Sequence, residues 1–224
     1  MRLYTLFLIS MSCVFLMSSP HQAQAQLLEK ATGPKEVSLL FHRMADKPIN
    51  YEEWAVNTQE YATAVDGRKE AVLEEESLNL QLEYSSIEKG KTDIIVRTQI
   101  ATKIDDSPRV GLTLDFSADG PLFFPYQYMD ERFAVIAQNI DLLKFIPLGK
   151  LESTYIKNKI SPQGKTYMVL KIRPHKVDAR EQTRIYEQRF WLMLGRIASI
   201  HLYNQELETL WSWTAEWYIT EQDE

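Results

Sequence analysis

Cysteine is nearly absent from this 224-residue chain: the single one, Cys13, lies inside an apolar run near the amino terminus. Disulfide frameworks, zinc–thiolate centres and cysteine nucleophiles are therefore excluded for everything beyond that run. A domain of about 200 residues needs no such staple, because it buries enough surface to build its own core. Catalytic signatures are also missing, with no G-x-S-x-G, no glycine-rich phosphate loop and no HExxH in the chain. Positive charge is in deficit, 25 basic residues against 31 acidic, which disfavours nucleic acid and anionic membrane surfaces as partners. A second long apolar run never comes.

The first such run is there. Met1-Arg2 supplies a short positive end, Leu3 to Met17 is almost unbroken apolar sequence, Ser18-Ser19-Pro20 interrupts it, and Ala23-Gln24-Ala25 offers small residues where a signal peptidase reads them. Residues 1–25 are expected to be a cleavable secretory signal. About 15 apolar residues fall short of the roughly 20 needed for a stable spanning helix, so no transmembrane segment is expected after processing. The mature chain, with net charge −7 once Arg2 is removed, is expected in a periplasm or, alternatively, secreted.

Residues 26–48 read as an arm, with a short helix over Glu36 to Met44 on Val37, Leu40, Phe41 and Met44. Asn50, with Glu53 three residues on, is placed to cap a helix running to Val65 and ending at Asp66-Gly67. A second helix follows from Arg68, its buried stripe being Leu73, Ser77, Leu80, Tyr84 and Ile87, with Gly90 as its stop. Beyond Gly90 the apolar period changes from 3.6 to 2. Ile94–Ile100 and Val110–Phe116 form one expected hairpin, Phe133–Gln138 a strand, and Leu151–Lys159 with Thr166–Arg173 a second hairpin about 161–164. Arg184 to Ile219 reads as a meander with turns at Gly195-Arg196 and 204–206, and with Trp211, Trp213, Ala215, Trp217 and Ile219 on one buried face. The expected fold is one α+β domain over 49–219: two N-terminal helices packed on a curved, mostly antiparallel sheet or partly closed barrel of about eight strands. Residues 220–224 read as an acidic tail. The stretch Arg68-Lys69-Glu70-Ala71-Val72-Leu73-Glu74 resembles uncharacterised exported bacterial proteins of a domain-of-unknown-function family, over about Ala64 to Phe116, a resemblance that implies no activity.

Candidate functional residues are few. Leu122, Phe123, Phe124, Tyr126 and Tyr128 belong to an aromatic run broken by Pro125, unsuited to a central strand and suited to an apolar lip or a cover over the open end of the sheet. Asp115 to Gly120 copies the first half of a calcium loop, but Tyr126 stands where the bidentate glutamate is required, so a plain Asp-Gly turn is expected. His42, His175 and His201 have no partner at metal-ligand spacing, and Asp105-Asp106 and Asp130-Glu131 read as solvated turn acids. No cofactor is expected. The sequence supports an exported envelope protein of non-catalytic type, binding a hydrophobic small molecule or a partner protein through an apolar sheet surface. The alternative is a periplasmic hydrolase using dispersed carboxylates with His175 or His201. The signal reading is open to an intact-mass measurement on the exported protein, which should begin at Gln26; a mass retaining residues 1–25 would contradict it.

Overall fold

The computed structural model describes residues 29–106, 108–116, 123–160 and 165–222. The expected signal segment, the turn at 161–164 and the calcium-like hexapeptide beyond Phe116 lie outside these residues. Pro34 at the first helical position starts α1 (Pro34–Met44), with Glu36 in its first turn and Arg43 in its last, matching charge to the helix dipole. All residues from Val37 to His42 are buried. Val37, Leu40 and Phe41 face the main core, while Leu39 joins a second cluster with Trp54, Ala55 and Leu80. The helix read from sequence as part of an arm is thus covered along its middle, Val37 to His42, while Pro34 and Glu36 at its start stay exposed.

Asn50 caps α2 (Tyr51–Ala55), accepting the Glu53 N–H at 3.4 Å. The helix expected to reach Val65 stops there, and α3 (Gln59–Thr63) starts afresh from Thr58. Two polar side chains cause the break. Asn57 donates to the Glu53 carbonyl at 2.8 Å, and the Thr58 hydroxyl donates to the Ala55 carbonyl at 2.8 Å while accepting the Tyr61 N–H at 3.3 Å. Short polar side chains of this kind compete with helix propagation for the backbone groups. A 3-10 turn, Asp66–Arg68, leads into α4 (Lys69–Ser86), which packs through Leu73, Leu80 and Tyr84 against α2 and Leu39.

Eight strands form a single sheet among the described residues: β1 (Ile94–Asp105), β2 (Gly111–Asp115), β3 (Phe124–Tyr128), β4 (Glu131–Gln138), β5 (Phe145–Pro147), β6 (Lys165–Ile185), β7 (Gln188–Tyr203) and β8 (Thr209–Thr214). The order is β3-β4-β7-β6-β1-β2-β5, with β8 also on β7. Among the described residues only β4 with β7 is parallel. The ends, β3 and β5, do not meet, so the sheet is open and mostly antiparallel, and the fold is α+β.

Three expectations are corrected. Leu151–Lys159 is a helix, α5 (Lys150–Lys159), rather than a strand: it buries Ser153 and Ile156, three apart, and leaves Leu151 90 % exposed. Gly195-Arg196 is no turn, because β7 runs straight through it and the hairpin turn is Tyr186-Glu187, with Tyr186 at φ 49°. Gly195 lies opposite Pro174 at a register shift of the β6–β7 ladder, where a missing N–H is tolerated. The aromatic strand ends early: β8 stops at Thr214, Trp213 is 41 % exposed, and Trp217 lies on α6 (Glu216–Gln222). As an edge strand with one neighbour, β8 is covered at Leu210 but not at Trp213.

The helix α6 is held by ions and aromatics. Buried Arg173 binds Asp93 (Nε to Oδ1, 2.5 Å), Glu221 (2.8 Å) and the Gly90 carbonyl (3.1 Å), while the Tyr218 hydroxyl donates to Asp93 at 2.7 Å. Glu221, read as tail, is thereby part of the fold.

The Gly195 position tests the register of the long ladder. A Cβ there would fall 2.3 Å from Cγ2 of fully buried Ile172 and 3.1 Å from the Arg173 carbonyl oxygen. Gly195→Ala is expected to cost roughly 1–3 kcal/mol in urea unfolding, the usual range for overpacking. Gly67→Ala, where an added methyl meets nothing within 4 Å, should be neutral or slightly stabilising.

Candidate functional site

The aromatic run is divided between the two cores. Phe124 and Tyr126 on β3 pack half-buried against the main core, and Tyr128 turns to the helical cluster with its ring 5.0 Å from that of Trp54. Phe123 meets Phe190 edge-on at 5.4 Å, and Leu122 lies outside the described residues. Pro125 sits on an edge strand, the place a sheet tolerates it. Burial pushes the Tyr126 hydroxyl up to about 12 and raises Tyr128 as well. These rings stand against protein, and Tyr128 also lines an open groove.

The histidines and acids are engaged separately. His42 is buried, its Nδ1 2.9 Å from the Ser38 carbonyl oxygen and its Nε2 3.4 Å from Glu131, whose other oxygen accepts the Trp191 indole N–H at 3.0 Å. Rings of Phe41, Trp54 and Phe133 enclose it, a satisfied core histidine. His201 stacks on Tyr203, and its pKa is lowered by burial and by the nearby Lys171, itself paired with Glu29 at 2.7 Å. His175 is exposed at the register shift after Pro174. Asp105 is held below the ordinary carboxylate range by the Thr113 hydroxyl and Lys103, whereas Asp106 pairs with Lys157 at 2.7 Å. Among the described residues no three histidines or carboxylates are placed to share a metal ion. At the end of the β1–β2 hairpin, Ala101, Leu114, Phe116 and Lys144 line an open concavity of about 480 Å³.

The helical layer has a different character. Residues 51–86 hold nine acidic residues against two basic, a net −7 in a chain whose total is −6. The helix α4 carries two apolar stripes. Leu73, Leu80 and Tyr84 form the packed one, as their spacing predicts; Leu78 and Leu82, 56 % and 61 % exposed, lie four apart on the opposite side, beside Glu74 and Glu75. This outward ridge stands between two grooves. One, of about 820 Å³, runs along α2 past Ile49, Tyr51, Leu73 and Leu78 with Glu52, Glu70 and Glu74 at its rim. The other, of about 650 Å³, passes α3 and is lined by Asn57, Asn79, Leu82 and Tyr128, with Lys35 and Glu83 paired at 2.8 Å. Sequence reasoning, which looked for one stripe per helix, missed Leu78 and Leu82; a second i, i+4 pair opposite the first was the available signal.

Comparisons with protein-family models, with curated proteins and with solved structures each gave no match.

The desolvation of Tyr126 has a pH consequence. Between about pH 10 and 12 the phenol is ionised in the unfolded chain and still protonated in the folded one, so stability falls as pH rises through that window. Tyr126→Phe should abolish this contribution, at most about 2–3 kcal/mol, when unfolding of the two proteins is compared at pH 9 and pH 12. An equal alkaline loss in both would mean that the ring is solvated.

Proposed function

We propose that this chain is an exported cell-envelope protein of non-catalytic type that holds a partner protein on the outward face of α4. In this reading the N-terminal helices ride on a curved sheet and present that face, while the aromatic run secures them underneath. One observation carries it: Leu78 and Leu82 lie on the side of α4 away from its packed stripe, exposed between two grooves. The two leucines leave more than half of their surface uncovered in their own fold, and a contiguous apolar ridge with a polar surround is the usual form of a protein-binding surface. Export is supported by residues 1–25 and by the resemblance of Arg68–Glu74 to exported bacterial proteins. The concavity holding Leu114 and Phe116 supports a second reading, an apolar small molecule bound at the sheet edge.

The test is co-purification from intact envelopes with mild cross-linking. Leu78→Ser with Leu82→Ser should lose the partner while stability stays within about 0.5 kcal/mol, because both side chains are exposed. Undiminished recovery by the folded double variant would remove α4 from the reading.

A further inference from the structure

The partner's identity is constrained by a second ridge on the same chain. On α5, Leu151 and Tyr155 are four apart, 90 % and 48 % exposed, and stand opposite the buried Ser153 and Ile156. Lys150, Lys157 and Lys159 share the helix with one acid, Glu152, and Asp106 and Glu208 from neighbouring segments pair with Lys157 and Lys159. The chain therefore shows two exposed helical ridges of equal spacing, one in an acidic field and one beside Lys150.

Resting on the reading that α4 binds protein, we infer that one partner is a second copy of this chain, its α5 seated along α4 with Leu151 and Tyr155 beside Leu78 and Leu82. Ridges of residues four apart are the surfaces that interdigitate when helices pack. At about 1.5 Å per residue, α4 spans about 27 Å and α5 about 15 Å, so the shorter helix fits within the length of the longer. Charge selects the pairing. Two α4 faces brought together about a two-fold axis would set one −7 layer against another, whereas α5 on α4 brings Lys150 to Glu74 and Glu75. Lys157 and Lys159 already hold Asp106 and Glu208 at 2.7 and 2.8 Å, which leaves Lys150 as the cation whose contact would be new, and makes the attachment weak and salt-sensitive. Because the two surfaces differ, the contact is either made twice about a two-fold axis, α5 of each copy on α4 of the other, or made head to tail, closing into a ring or extending as a chain.

Sedimentation of the purified exported protein over a range of concentrations at low and moderate salt tests this. Mass should rise above the monomer with concentration and fall back with salt. Leu78→Ser with Leu82→Ser should weaken association roughly tenfold or more, as should Leu151→Ser alone at the other ridge. Glu74→Lys with Glu75→Lys should also weaken it, and Lys150→Glu in the same molecule should restore part of it, a rescue that misfolding cannot mimic. A monomer at every concentration, or association untouched by Leu151→Ser, overturns the inference. If that monomer still recovers an envelope protein through Leu78 and Leu82, the α4 reading stands without self-association; if it recovers none, both fall.

Discussion

The β6–β7 ladder is the constraint on which the rest of this molecule depends. Its two strands, 21 and 16 residues long, form the centre of the sheet: β1 pairs with the first half of β6, while β4 and β8 share the other edge of β7. A one-residue slip would turn Met168, Leu170, Ile172, Ile200 and Leu202, none more than 1 % exposed, out of the core together. Strands of such length cannot stay flat and in simple register, and three register shifts take up the mismatch, at Lys171/Ile172, Pro174/Lys176 and Asp178/Thr183. The middle shift is where residue types become non-negotiable, with a proline that has no N–H to give and a glycine pressed against Ile172.

The helix α1 transmits that order to the rest of the fold. It is wedged between sheet and helices, and its last turn is fixed by His42, which bonds back to Ser38 and faces the Glu131 carboxylate that also receives Trp191. Lys47, just past the helix, lies 3.9 Å over the Trp191 ring, and Tyr84 of α4 donates to the Lys47 carbonyl at 3.1 Å. Strand β7, helix α1 and helix α4 are thus joined through one cluster, and the outward face of α4 is held in place rather than left to find its position on binding. A surface fixed before association loses less entropy when it binds.

What the sequence made legible and what it hid follow from how local each signal is. The stripe on α4, the Asn50 cap and the β1–β2 hairpin could be read directly, since each is stated by residues within one turn or one loop of one another. Leu151–Lys159 satisfies both periods over its length, and tertiary contact at Ser153 and Ile156 decides for helix. Gly195 was read as a turn because glycine usually punctuates, but a glycine inside a strand also marks a close approach, which only the long-range pairing reveals. The alternation through Trp217 breaks because Arg173 and Asp93, distant in sequence, draw Tyr218 and Glu221 into a helical turn.

The candidate site was hidden for a different reason. Two apolar stripes on one helix cancel in its overall amphipathicity, so once the packed stripe of α4 has been read the pair on its far side is easily passed over. Placing Leu78 and Leu82 in a field of carboxylates resolves what would otherwise be a hazard, since exposed leucines on a neutral helix invite indiscriminate association. Carboxylates around them repel a like face, nucleic acid and anionic lipid, and in the proposed reading favour a surface that brings cations. In the proposed reading, concentrating −7 in 36 residues while the remainder of the chain carries +1 narrows what can bind there, so that the charge surrounding the leucines would also select their partner.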